Sequence, residues 1–76
     1  MSFAVQARRL VREHGVVVQD DTNNVSTATL VDARQAARRF ADDGYTAWIF
    51  RVDPGPTGAP VYRMVETLRP GAGSTR

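Results

Sequence analysis

Residues 29–52 read TLVDARQAARRFADDGYTAWIFRV, and two periodicities meet inside them. Leu30, Ala33, Ala37, Phe40 and Ala41 return every three or four positions, with Ala36 at the edge of the same set. That spacing gathers them on one side of an α-helix. Thr29 and Asp32 stand three apart at its start, the spacing of a capping box with aspartate in place of glutamate. Gly44 is the residue that can take a left-handed backbone and end the helix. Asp42 and Asp43 place negative charge where the helix dipole disfavours it. The last turn is therefore expected to fray or to pair with Arg38 and Arg39.

Beyond Gly44 the period changes to two. Residues 45–53 are rich in aromatic and β-branched types and read as a strand. The strand is apolar on both sides: Tyr45, Ala47 and Ile49 alternate with Trp48, Phe50 and Val52. The proline- and glycine-dense DPGPTGAP, residues 53–60, breaks it. VYRMVETL, residues 61–68, forms a second strand, so the pair reads as a hairpin with a long tip. The tail from Pro70 carries no apolar anchor and is expected to be disordered, which leaves residues 1–69 as one small domain.

The N-terminal third admits two readings. As a strand, Phe3, Val5, Ala7 and Val11 share a side, with Arg9 as the exception. As a helix, Phe3, Ala7, Leu10, Val11 and His14 share a face, with Ser2 as cap and Gly15 as stop. VVVQDD, residues 16–21, is a strand in both cases, and DTNN, residues 21–24, reads as a turn or loop. Two N-terminal strands are favoured. The expected fold is α+β, ordered ββαββ, with one antiparallel sheet and a single helix on one face. The alternative is αβαββ.

A chain of 76 residues buries only about 60% of its unfolded surface. With no cysteine, it gains nothing from disulfides or thiolate metal sites. Its 42% hydrophobic and 24% charged residues are ordinary for a soluble globular protein. Every basic residue is arginine. That usage, with abundant alanine, valine, glycine and aspartate, points to a GC-rich genome such as that of an actinobacterium or its phage. The first fifteen residues meet Arg8, Arg9 and Arg12 too early for a signal core, and no run approaches a membrane span. A cytoplasmic protein is expected.

No catalytic pattern stands out. His14 is the only histidine, and neither an orienting partner nor a second ligand of its kind accompanies it, so a metal site is not expected. Asp20, Asp21, Asn23 and Asn24 offer oxygens without the spacing, bend glycine or terminal acid of a calcium loop. The glycines of DPGPTGAP lead into a strand rather than a helix, unlike a phosphate cradle. No cofactor and no enzymatic activity are expected.

The arginines carry more. Arg34 and Arg38 flank the helix, and Arg51 and Arg63 emerge near the hairpin. Arginine beside Tyr45 and Tyr62 on a sheet could hold single-stranded nucleic acid. The net charge of +2 is small for a dedicated binder. Which side each strand residue takes depends on hairpin register. Pairing Val52 with Tyr62 would oppose Arg51 to Arg63, so pairing Val52 with Val61 is preferred. That register puts Trp48, Phe50, Val61 and Val65 beneath the helix. It leaves Tyr45, Ile49, Arg51, Tyr62, Met64 and Leu68 on the far, uncovered side as a partner-binding surface. The expected function is a non-enzymatic interaction module that homodimerises or docks on a larger protein. A phage-encoded modulator of a bacterial host protein fits the size and composition. Nucleic-acid binding through Arg34, Arg38, Arg51 and Arg63 is the alternative.

Overall fold

In a computed structural model, which describes residues 1–71, the elements follow the order ββαββ. They are β1 (Ser2–Glu13), β2 (Val16–Thr27), α1 (Leu30–Asp42), β3 (Thr46–Pro54) and β4 (Pro60–Leu68). The strands form one sheet in the order β2-β1-β3-β4, every neighbouring pair antiparallel. The expected α+β class and element order hold, and the N-terminal segment is a strand.

The helix begins as its sequence dictates. Thr29 is extended at φ −129°, ψ 156°, and its side chain accepts the Asp32 N–H at 3.1 Å. Losing that bond in Thr29→Ala is expected to cost about 1 kcal/mol, read as a lowered urea midpoint with unchanged slope. Gly44, at φ 91°, ends the helix as expected.

The alanine face meets the sheet directly. Ala33, Ala37 and Ala41 are buried on the helix, and Val5, Ala7, Tyr45, Ala47 and Ile49 are buried with them. Leu30, Ala36, Phe40, Phe3, Val25 and Leu68 close the margin. Methyl groups on the helix let its backbone approach the two central strands closely. The consequence is a small core, in which Ile49 and Val5 are the largest fully buried side chains.

Three expectations about the strands are corrected. First, DTNN is not a turn. Residues 21–24 lie inside β2, paired rung by rung with Arg9, Arg8, Ala7 and Gln6 of β1. The reversal falls earlier, at His14 and Gly15, whose φ values of 55° and 80° are those of a two-residue hairpin turn. Second, the tip of the β3–β4 hairpin is shorter than expected, because the strands run to Pro54 and restart at Pro60. The Gly55 N–H donates to the Ala59 carbonyl at 2.8 Å to close the loop.

The third correction is register. Val52 pairs with Tyr62, and Arg51 stands opposite Arg63, the arrangement expected to be avoided. Asp53 offsets the repulsion, since its carboxylate lies 2.9 Å from Arg51 on the same side of the strand. The register also shifts between Ile49 and Phe50, so Ile49 faces Glu66 while Phe50 faces Met64. Val65 is thereby left as the extra residue of a bulge, and Trp48 meets Thr67.

β1 and β2 outrun the rest of the sheet. The β1–β3 ladder stops at Arg8 opposite Thr46, whereas the β1–β2 ladder continues to Glu13 opposite Val16. Beyond Arg8 the hairpin projects as a two-stranded arm. The described chain is accordingly elongated, 47 × 28 × 14 Å, with a radius of gyration of 14.0 Å. A compact chain of this length would have about 11 Å. At the other end Pro70 and Gly71 form a turn, and the Gly71 N–H donates to the Ala41 carbonyl at 3.2 Å. The rest of the tail expected to be disordered lies outside the described residues. Among the described residues, no helix is long and apolar enough to cross a membrane.

Candidate interaction face

The helix selects the opposite face of β3 from the one expected. Tyr45, Ala47 and Ile49 are buried beneath it, so alternation turns Trp48, Phe50 and Val52 to the uncovered side. The expected surface is therefore divided. Tyr45, Ile49 and Leu68 belong to the helix-covered side, as core residues or packed against the core. Arg51 is also on the helix side, with Asp53. Tyr62 and Met64 do lie on the open side, where Tyr62 meets Phe50 edge-on at 6.4 Å between ring centroids. Val61 and Val65, expected in the core, are exposed on the edge strand. Bulk explains the inversion. A helix lined with alanine sits too close to the sheet for tryptophan and phenylalanine beneath its centre, and small Ala47 and Ala7 fill that place instead.

The open face has two halves. Trp48, Phe50 and Val52 on β3, with Tyr62 and Met64 on β4, make an apolar half. The Thr67 hydroxyl, also on this side, donates to the Met64 sulfur at 3.3 Å. On β1 and β2 the same side shows Ala4, Gln6, Thr22, Asn24 and Ser26, with Arg8 and Asp20 toward the arm. A shallow depression lies along the seam, lined by Gln6, Arg8, Thr22, Asn24 and Trp48 among others.

Charge is segregated between the faces. Among the strand residues of the four-stranded region, Arg8 is the one ionic residue on the open side, and it is neutralised. Its Nε and Nη2 donate to the two Asp20 carboxylate oxygens at 3.0 and 2.8 Å. Those hydrogen bonds hold the Asp20 carboxyl below its ordinary value and raise the guanidinium. A depressed carboxyl stabilises the fold above its unfolded pKa and loses that contribution as pH falls through the folded one. Acidification below the ordinary 3.8 is thus expected to lower amide protection factors, the exchange rates corrected for their intrinsic pH dependence, first in the arm, as NMR would show.

The remaining strand charges of the four-stranded region lie on the helix side. Arg9 reaches back from the base of the arm to the end of the helix. It stacks over the Tyr45 ring at 4.8 Å, pairs with Asp21 at 2.8 Å and donates to the Asp43 carbonyl at 3.1 Å. A cation is thus supplied to the last helical turn by a strand, and Arg9, the exception to the apolar alternation of β1, has its explanation.

The arginines expected to serve nucleic acid are not assembled with aromatic rings. Arg34 is bound to Glu66 at 3.1 Å and Arg51 to Asp53. Arg38 lies with Arg34, Val31 and Gln35 along an exposed depression of the helix. Arg63 is on the helix side opposite Arg51, away from Tyr62. Among the described residues, no group of three or more His, Cys, Asp or Glu is placed to hold a metal ion. His14 is exposed in the arm's turn.

Comparison with known proteins finds no matching family model, no matching curated protein and no matching solved structure.

Proposed function

We propose that this chain is a non-enzymatic protein-interaction module whose binding surface is the open face of the sheet. The observation that carries this reading is a contiguous apolar group, Trp48, Phe50, Val52, Tyr62 and Met64, on a face whose one strand charge in the four-stranded region lies at its end and is already paired. Tyr62 and Met64 are 54% and 59% exposed. Aromatic and methionine side chains are the types enriched where proteins meet, and charge is depleted at the centre of such contacts. Nucleic acid fits the four-stranded part of this face less well, because phosphate needs free cations and Arg8 is fastened to Asp20.

Two baits test the reading: the wild-type chain and a Tyr62→Asp/Met64→Asp variant of unchanged circular dichroism. The wild type should retain a protein, its own second copy included, that the variant loses. Equal recovery by both baits would reject this face as the binding surface.

A further inference from the structure

The occupant of the open face can be stated more closely, on the premise that this face is the binding surface. We infer that it is a second copy of this chain, packed sheet to sheet about a two-fold axis, with the arm of each copy lying across the β3–β4 half of the other.

Three features point there. The first is charge. A face that carries a net sign needs a partner of the opposite sign and repels itself. Here the strands of the four-stranded region show only Arg8, cancelled by Asp20, so the strands of two identical copies meet without repulsion. The other strand charges that would oppose a self-contact, Arg51, Asp53, Arg63 and Glu66 there and Arg9 and Asp21 at the base of the arm, lie on the helix side.

The second is shape. The apolar groups run diagonally across the sheet. Leu10 and Val17 stand on the open side of the arm, exposed by 42% and 44%. Trp48 lies mid-way, and Phe50, Val52, Tyr62 and Met64 complete the far end. A two-fold axis through Trp48, across this diagonal, places each arm on the partner's Tyr62 and Met64. An axis along the diagonal would instead bring Arg12, opposite Val17 in the arm, against its own copy. Like charges disfavour that choice.

The third is area and need. At about 4.8 Å between strands and about 3.3 Å per residue, the four-stranded face spans roughly 20 by 23 Å, and the arm adds roughly 10 by 17 Å. Two footprints of roughly 600 Å² exceed the total of about 1,000 Å² expected of a specific interface. The arm also needs cover, since a two-stranded ribbon alone is marginal in water. Its Val16, Val17 and Val18 are exposed by 63%, 44% and 53%.

The experiment uses purified chain alone. Light scattering should give twice the 8.3 kDa chain mass, and dilution should shift the emission of Trp48, the single tryptophan, to the red. Tyr62→Arg and Met64→Arg should each weaken association at least tenfold with unchanged circular dichroism. Val31→Arg, on the outer helix face, should leave it intact. The chain has no cysteine, so Leu10→Cys mixed with Tyr62→Cys under mild oxidation should yield a mixed disulfide dimer in preference to either homodimer. A wild type that stays at 8.3 kDa at sub-millimolar concentration overturns the second copy as occupant. The module reading would then still stand or fall by its capture assay. A dimer abolished by Val31→Arg but not by Tyr62→Arg overturns the face. A Leu10→Cys homodimer forming in preference to the mixed one overturns the crossed arms.

Discussion

Ile49→Asp is expected to unfold the chain. Ile49 is fully buried between β1 and β4 beneath the helix. The carboxylate would enter a space walled by Val5, Ala7 and the alanine face of α1, with no cation among these neighbours. An ionised group there must either take up a proton at a cost or open the core, and either route removes at least about 4 kcal/mol. At about 0.05–0.15 kcal/mol per residue, a domain of this size holds only about 4–11 kcal/mol in total. Loss of the far-ultraviolet strand signal and of amide dispersion at neutral pH would be the outcome. The contrast is Met64→Asp on the opposite side of the sheet. That variant keeps the fold, because the new charge faces water. A folded Ile49→Asp together with an unfolded Met64→Asp would mean that the two faces of the sheet are exchanged.

The second large effect comes from adding atoms rather than charge. Ala37 is fully buried on the helix face, in one cluster with Ala47 and Ile49. In Ala37→Leu the added carbons have no space to occupy, since helix and sheet are already in contact through methyl groups. The helix must lift or rotate, with a cost at the upper end of about 1–3 kcal/mol despite leucine's favourable helix propensity. Chemical denaturation should show the lower midpoint. Substitution with leucine at exposed Gln35, further round the helix, provides the comparison and should stay within about 0.5 kcal/mol of wild type.

These two residues also show how far the fold is legible in the sequence. The spacing of Ala33, Ala37 and Ala41 identifies the covered side of the helix, and Thr29 and Gly44 mark its ends, because these depend on local chemistry. The covered side of β3 is not a local property. Tyr45, Ala47 and Ile49 are as apolar as Trp48, Phe50 and Val52, so periodicity cannot choose between them. What chooses is the size match across the interface, in which an alanine-lined helix takes the row with the smaller central side chain. The hairpin register departs from expectation for a similar reason. Arg51 and Arg63 repel as a pair, whereas Asp53, two residues along the same side, makes them a triplet. The bulge at Val65 has no marker in the sequence that we can name. Of the expected contact surface, Tyr62 and Met64 survive because the parity of β4 near the tip matches the true register's open side, and Tyr45, Ile49 and Leu68 do not.

β1 and β3 are neighbours in the centre of the sheet although they come from opposite halves of the chain. Each also forms a hairpin with the strand next to it, β1 with β2 and β3 with β4. The chain is thus two local pieces, β1–β2 and α1–β3–β4, joined through Ala28. A break at Ala28 would cost the hydrogen bond from the Thr27 hydroxyl to the Thr29 carbonyl and no strand pairing. Closing the long-range β1–β3 ladder is then the step that governs folding speed, since the hairpins can close early. It also makes residues 1–28 and 29–71 natural halves for reconstitution, each exposing one strand edge that only the other can complete.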